Sequence, residues 1–261
     1  MSLIEASEVR FSYDEGKIIL DGVDIHIVPG EILGILGPNG CGKTTLIKCL
    51  NKIHEPQQGH IVLLGEDLKE LTYRQVAQKV GYVPQNSVDE LSAPNVFDVV
   101  LMGRMPHTTW HCSEEDEQKV WEIMEELDVA HLASQGFNEL SSGQSQRVLM
   151  ARAIAQEARI MLLDEPTSNL DIKYQLEVMN MVSKIVAERG VSAVAIIHDL
   201  DLALRYCDRV LLLHDGKVHA FGPAEEVLTK ENIRTVYNVD AEVVEMFGRR
   251  RIVILDNIPE N

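Results

Sequence analysis

The chain has 261 residues, 45% of them apolar and 25% charged, which is typical of a globular protein with one large α/β domain or two small ones. Its net charge of −17, from 24 basic and 41 acidic residues, argues against a nucleic-acid-binding protein and against electrostatic docking on anionic lipid, since both need a basic face. Docking on a membrane protein stays open.

The cysteines and the start of the chain indicate the compartment. The four cysteines show no C-x-x-C spacing, which favours reduced thiols. The first residues lack the basic and apolar segments of a signal peptide, and every apolar run falls far short of the ~18 residues of a membrane span. We therefore expect a cytoplasmic protein.

Strand patterns dominate the first third of the chain. Apolar residues alternate with polar ones, and a turn at Pro29-Gly30 leads into a short run that is apolar throughout, as in a buried strand. The predicted elements are strands near residues 9–13, 23–27, 32–36, 61–64 and 80–83, and a helix at residues 44–52.

Residues 86–155 differ, because strand patterns vanish and helix patterns begin near Pro94, after Ser113 and after Ser141. Strands of the kind that helices cover on both faces then return. They lie at residues 160–163 and 193–197. Residues 210–213 and 217–220 flank the turn Asp215-Gly216 and are predicted to form a hairpin, and one helix and short strands at 243–244 and 251–255 follow. We predict an α/β core at residues 1–85 and 151–225, an all-helical insert at 86–150 and a C-terminal extension at 226–261.

A glycine-rich loop joins the third predicted strand to the first predicted helix. Its sequence, G-P-N-G-C-G-K-T-T, satisfies G-x-x-x-x-G-K-[ST] in the context that this phosphate-binding motif requires. Glycines let backbone N–H groups turn toward phosphate oxygens, the lysine supplies a cation, and the threonine offers a hydroxyl to Mg²⁺. The candidate nucleotide-binding residues are Gly37, Pro38, Asn39, Gly40, Cys41, Gly42, Lys43, Thr44 and Thr45.

Two carboxylates end the apolar strand R-I-M-L-L-D-E-P at residues 159–166. The carboxyl end of a parallel strand faces the crevice in which ligands bind. Asp164 is placed to hold Mg²⁺ through water, and Glu165 to polarise an attacking water. Alone, the pair would be a solvated strand end; beside a phosphate loop, the functional interpretation prevails.

Two further polar residues follow strands. His198 ends A-V-A-I-I-H-D, and we expect it at the same sheet edge as Asp164, within reach of a γ-phosphate. Gln85 stands between the sheet and the helical insert, where a glutamine can sense phosphate as the insert moves.

The stretch L-S-S-G-Q opens the helix that begins near Ser141. Ser141 and Gln144 have the spacing of a capping box, which satisfies free N–H groups at a helix start. An open helix start also binds anions. Both interpretations stand on these residues alone.

Together these motifs resemble the nucleotide-binding subunit of an ATP-binding cassette (ABC) transporter, over about residues 5 to 225. The loop at 37–45 resembles Walker A, I-M-L-L-D-E resembles Walker B, Gln85 the Q-loop glutamine and His198 the switch histidine. The signature motif matches Ser141, Ser142, Gly143 and Gln144, with Ser142 where a glycine is usual; the D-loop matches Ser168, Asn169, Leu170 and Asp171; Tyr13 matches the aromatic that stacks on adenine.

The resemblance implies a P-loop NTPase (RecA-like) core with an N-terminal antiparallel β subdomain and an all-helical insert. It implies ATP and Mg²⁺ as ligands, the metal held by Thr44, Gln85 and Asp164, and catalysis by Glu165, His198 and Gln85. Two copies would enclose two ATP molecules head to tail, each signature motif on the partner's ATP. Membrane permease subunits would dock near residues 86–110 on the cytoplasmic face, and a substrate-binding protein would take part indirectly.

The cargo is indicated by G-R-M-P-H at 103–107 and T-V-Y-N-V-D-A-E-V at 235–243, which resemble cassettes of iron–siderophore, haem and cobalamin importers. Other cargoes, such as a metal ion or a phosphonate, and a soluble ABC ATPase that remodels a ribosome or DNA complex are the alternatives. A metal site around Met102, Met105, His107, His111 and Cys112 is disfavoured by its spacing, and a GTPase by the lack of N-K-x-D after a strand.

Overall fold

The computed structural model describes residues 2–14, 16–85, 94–108 and 111–258. The chain forms two compact units: residues 1–70 with 192–261, called here the first unit, and residues 71–191, the second unit. Among the described residues, no helix has the length and apolarity needed to cross a membrane. The predicted division into core, insert and extension remains a prediction.

Strands and helices alternate along most of the described chain. The strands are β1 (Ile4–Ser12), β2 (Ile18–Ile27), β3 (Ile32–Leu36), β4 (Gln58–Leu63), β5 (Glu66–Asp67), β6 (Val80–Val83), β7 (Ile160–Leu163), β8 (Ser192–Ile196), β9 (Arg209–His214), β10 (Lys217–Pro223), β11 (Val239–Met246) and β12 (Arg249–Asn257). The helices are α1 (Lys43–Leu50), α2 (Tyr73–Ala77), α3 (Val96–Leu101), α4 (Glu114–Glu126), α5 (Ser142–Ala155), α6 (Ile172–Arg189), α7 (Leu200–Tyr206), α8 (Ala224–Val227) and α9 (Lys230–Tyr237).

The first unit holds an antiparallel sheet in the order β2-β1-β4-β5. Along β1 buried side chains alternate with exposed ones, at Ile4 and Ala6 and again at Val9 and Phe11, because successive residues of a strand point to opposite sides. A bulge between Ala6 and Val9, where Glu8 has φ of 51°, shifts the alternation by one residue. The predicted alternation in this part of the chain is thus confirmed.

A second sheet portion of the first unit runs β10-β9-β3-β8. β3 pairs in parallel with both β8 and β9, and β9 and β10 form the hairpin predicted around Asp215-Gly216. β3 and β8 are buried along their full length, as expected of strands covered on both faces. The carboxyl ends of β3 and β8 therefore lie side by side.

In the second unit β6 and β7 pair in parallel, with Val80 opposite Ile160. Within residues 94–108 and 111–155 the structure has helices and no named strand, which confirms the loss of strand patterns there. Arg104 ties the helical part together: it is 4% exposed, and its guanidinium donates to Ala155 O and Glu157 at 2.7 Å and to Asp116 at 2.8 Å.

The C-terminal extension ends in a hairpin of β11 and β12, with eight and nine residues. The strands predicted at 243–244 and 251–255 are both shorter than the strands in the structure. Charged residues occupy many outward positions, such as Glu245 opposite Arg250, and they mask the strand pattern. Sequence patterns also did not predict α2, α6, α7 and β5.

Candidate functional site

The phosphate-loop candidate, residues 37–45, joins β3 to α1. Gly37, Gly40 and Gly42 have φ of 146°, 80° and 107°, a region that favours glycine. A side chain at Gly37 would place its Cβ 2.1 Å from Leu213 O, so only glycine fits there. Gly42, at the start of α1, makes no side-chain cap, so side chains leave the first N–H groups of the helix uncapped.

Lys43 is buried within this loop, at 5% exposed. Its Nζ donates to Gly37 O and Pro38 O, both at 2.8 Å. A buried ammonium held by carbonyls of its own loop keeps a cation at the start of α1. The loop therefore combines uncapped N–H groups with a fixed positive charge, which is the chemistry that binds phosphate.

The remaining loop residues fall into two groups. Asn39 and Gly40 are exposed at the crest, with Pro38 half-buried. Cys41 and Thr45 are buried and Thr44 is half-buried. Burial raises the pKa of the Cys41 thiol, so it stays protonated at neutral pH.

Tyr13 lies just after β1 and is 56% exposed. Its Oη lies 3.2 Å from both Thr45 Oγ1 and His54 Nε2, and its ring meets that of Phe11 edge to face at 5.0 Å. Burial, and then the charge of Lys48, lowers the pKa of His54, so this histidine is neutral at pH 7. These contacts fix Tyr13 beside the first turn of α1 and leave much of its ring exposed. The sequence did not reveal the supporting contacts with Phe11 and His54.

His198 follows the end of β8 and is exposed. Ile35 of β3 pairs with Ile196 of β8 in parallel register. His198 and Gly37 consequently leave the same edge of the sheet, two residues beyond this pair. This register is consistent with the expectation that His198 reaches a phosphate held by the loop, and its expected place at the same sheet edge as Asp164 stays a prediction.

In the second unit, Asp164 follows β7 and is 3% exposed. The hydroxyl of Tyr82 donates to Asp164 Oδ2 at 3.2 Å. Burial, and then the negative charge of Asp164, raises the pKa of Tyr82, so the phenol stays a donor at neutral pH. Sequence reasoning missed Tyr82, which looked like one more apolar residue of a strand.

Glu165 and Gln85, both predicted to be catalytic, meet in the second unit. Gln85 Nε2 donates to Glu165 Oε2 at 2.5 Å. Glu165 has φ of 54°, a left-handed conformation that costs a non-glycine residue about 1 kcal/mol or more. The backbone N and Oγ of Ser168 donate to Glu165 O at 3.1 and 2.9 Å, so the D-loop candidate begins on the same residue.

The predicted capping box at the start of α5 is confirmed. Ser141 N and Oγ donate to Gln144 Oε1 at 3.0 Å, and Gln144 N donates to Ser141 Oγ at 3.4 Å. Ser141 and Ser142 are both exposed. A capped start thus coexists with an open surface.

Gly143 packs against the ring of Tyr174, and a Cβ at Gly143 would lie 2.9 Å from Tyr174 Cδ1. Tyr174 N in turn donates to the side chain of Asp171, which caps α6, at 3.1 Å. Gln175 Nε2 donates to Leu170 O at 3.1 Å, and Asn169 takes φ of 59°. The signature and D-loop candidates are therefore joined through Tyr174, a residue that local sequence spacing does not single out.

No group of three or more His, Cys, Asp and Glu side chains gathers as a metal site within residues 2–14, 16–85, 94–108 and 111–258. His107 Nε2 lies 2.8 Å from Gln156 O, a structural contact.

A glycine-rich loop with a buried lysine, set between a buried parallel strand and a helix, defines a P-loop nucleotide-binding protein. Residues 20–168 match the ABC transporter family. The chain is 42% identical to an uncharacterized ABC transporter ATP-binding protein of Methanocaldococcus jannaschii, over 95% of this chain and 96% of the relative. It is 41% identical to a hemin import ATP-binding protein of Pseudomonas aeruginosa, over 87% of this chain and 90% of the relative.

Among solved structures, the fold is similar to a transporter described as a proposed metal-chelate type ABC transporter in an inward-facing conformation. The TM-score is 0.85 at 30% identity, over 98% of both chains. The chain belongs to the ABC transporter family, as an ATP-binding ATPase subunit.

Proposed function

We propose that this chain is the ATP-hydrolysing subunit of an importer that takes up a metal chelate: an iron–siderophore, haem or cobalamin. The observation that carries the proposal is Lys43, buried over a glycine-rich loop at an uncapped helix start. ATP would lie with its phosphates on residues 37–45 and its adenine on the open ring of Tyr13. The lysine would then exchange two carbonyl partners for phosphate oxygens.

Hydrolysis is phosphoryl transfer to water, in which the protein positions the reactants and stabilises charge. Glu165 would polarise the water. Gln85, which is hydrogen-bonded to the Glu165 carboxylate, would hold that carboxylate in place. His198 would contact the γ-phosphate from the edge of β8. Thr44, Gln85 and Asp164 carry the oxygen donors that Mg²⁺ prefers and would hold the ion, which when bound would neutralise phosphate charge.

The signature motif supports a dimer. Residues 37–45 already give each chain one phosphate site, so the exposed serines at the start of α5 would be redundant within one molecule. In a head-to-tail pair, Ser141, Ser142, Gly143 and Gln144 would contact the ATP of the partner. Ser168, Asn169, Leu170 and Asp171 would lie at the same interface, because Tyr174 links Gly143 to the cap at Asp171.

The partners would be permease subunits at the cytoplasmic face of the membrane, with a substrate-binding protein on the far side. The predicted docking segment, residues 86–110, is described at 94–108. Met102 and Met105 are 44% and 63% exposed there, and adaptable apolar side chains suit a docking surface. Residues 86–93 and 109–110 lie outside the described residues.

The cargo proposal rests on the two sequence stretches and on the similarity to a hemin import protein and to the metal-chelate type transporter. A direct test is to purify the tagged chain from detergent-solubilised membranes and identify what accompanies it. We expect a permease, with ATPase activity that rises when the cognate binding protein carries its chelate. Ribosomes or DNA-bound proteins in place of a permease would contradict the proposal.

A further inference from the structure

Tyr237 ends α9 in the C-terminal extension, and its hydroxyl is buried without a hydrogen-bond partner among the described residues. Leaving a buried hydroxyl unpaired is unfavourable, and most such groups find a partner. The ring alone could be supplied by phenylalanine. The hydroxyl is therefore a feature of the fold that a phenylalanine would not supply.

The phenolic oxygen faces the backbone N–H of Gly37 without reaching hydrogen-bond geometry. Gly37 opens the phosphate loop, and its carbonyl holds Lys43 Nζ at 2.8 Å. Burial raises the pKa of Tyr237, so the phenol is neutral at physiological pH. A neutral hydroxyl thus lies beside the peptide whose carbonyl holds the loop lysine.

Tyr237 also borders a cavity of about 440 Å³ that the extension shares with the histidine end of β8. His198, Asp199 and Leu200 line one side, and Tyr237, Val239 and Ile254 are among the residues on the other. The Tyr237 side chain therefore lies near two residues that are proposed to contact ATP: Gly37, beside its hydroxyl, and His198, across the cavity.

We propose that Tyr237 is a positioning residue that couples the C-terminal extension to the ATP site. When ATP draws Lys43 toward its phosphates, a small shift of the loop closes the hydrogen bond from Gly37 N–H to the Tyr237 oxygen. Because coupling between sites is reciprocal, ATP binding orders the extension and an ordered extension strengthens ATP binding. This inference rests on the proposed ATP site at residues 37–45.

The test compares wild type, Tyr237→Phe and a matched control, Tyr73→Phe, whose tyrosine is 73% exposed in the second unit. Tyr237→Phe should bind a fluorescent, non-hydrolysable ATP analogue about fivefold more weakly, the factor expected for one hydrogen bond. Its KM for ATP should rise with kcat little changed. Its melting temperature without nucleotide should stay equal or increase, since the unpaired hydroxyl is gone.

Hydrogen exchange separates this role from a merely structural one. In wild type, the ATP analogue should slow amide exchange across residues 230–258, and in Tyr237→Phe that protection should be lost. Wild type without ATP-dependent protection, or Tyr237→Phe with wild-type affinity and protection, would overturn the inference. Wild type that binds no ATP analogue would instead overturn the proposed function.

Discussion

The starts of α1 and α5 are both proposed to bind phosphate, yet they are built in opposite ways. α1 begins at a left-handed glycine with no side-chain cap and carries a buried lysine that its own loop holds. α5 begins at Ser141 with a complete capping box, and its serines are exposed. The first start brings its own cation, as expected of a phosphate site within one chain. The second is stable without a ligand, as expected of a surface that meets its phosphate only on a partner.

The largest expected effect comes from the α1 side of this comparison. Lys43→Ala removes the buried cation, and loss of a buried charge partner typically weakens binding about a hundredfold or more. Titration with a fluorescent ATP analogue should show this loss. The matched control is Lys48→Ala, a half-buried lysine on the same helix, which should bind normally. If Lys43→Ala and wild type bound the ATP analogue with equal affinity, Lys43 would not be a phosphate ligand.

Glu165→Gln separates binding from turnover. The amide keeps the size of the side chain but cannot polarise water, and general-base help is typically worth ~10²–10⁴ in rate. Steady-state phosphate release should fall by that order while ATP affinity is retained. Glu188→Gln, on the surface of α6, should turn over normally. Wild-type turnover by Glu165→Gln would show that Glu165 is not the residue that polarises the attacking water.

Gly143→Ala tests the α5 side. The added Cβ must push Tyr174 aside, and overpacking of this kind typically costs about 1–3 kcal/mol. Because the signature motif is proposed to act on the partner's ATP, ATPase activity should fall more than about tenfold while each chain still binds ATP through its own loop. Loss of ATP binding together with activity would show instead that the site lies within one chain.

The smallest effect comes from paired cap variants. Ser113 and Ser141 are both exposed N-caps with capping boxes. Replacing either with Ala should cost about 1 kcal/mol and lower the melting temperature by roughly 3 °C. Only Ser141→Ala should also reduce ATPase activity, by several-fold. Equal activity of the two variants would mean that Ser141 is a cap and nothing more.

The sequence predicted the strands, loops and helix starts that carry motifs, because those residues are set by local requirements. Glycines 37, 40 and 42 are needed for positive φ, and Ser141 with Gln144 for a cap. Tyr82, Tyr174 and Tyr237 were not predicted to act in the site. Each reaches its partner across a wide gap in sequence, so no local spacing reveals it; Tyr82 meets Asp164 only because β6 pairs with β7.

The boundaries of the C-terminal hairpin show the same limit. Glu and Arg residues at outward positions of β11 and β12 interrupt the alternation of apolar and polar residues that predicts a strand. The two strands extend through these positions because they pair with each other across the hairpin. Likewise, His198 and Gly37 leave the same edge of the sheet only because of the register of β3 with β8. Tertiary pairing, which propensity does not encode, decides both features.

The central claim is that one ATP site is shared between two chains, and a mixing experiment tests it most directly. Lys43→Ala and Gly143→Ala should each retain about a tenth of wild-type ATPase activity or less when tested alone. In a head-to-tail dimer of the two, one site combines the intact loop of one chain with the intact signature of the other. Mixing equal amounts should therefore restore about a quarter of wild-type ATPase activity, since half the dimers are mixed and each has one working site of two. Activity that stays at the level of the separate variants would contradict the claim.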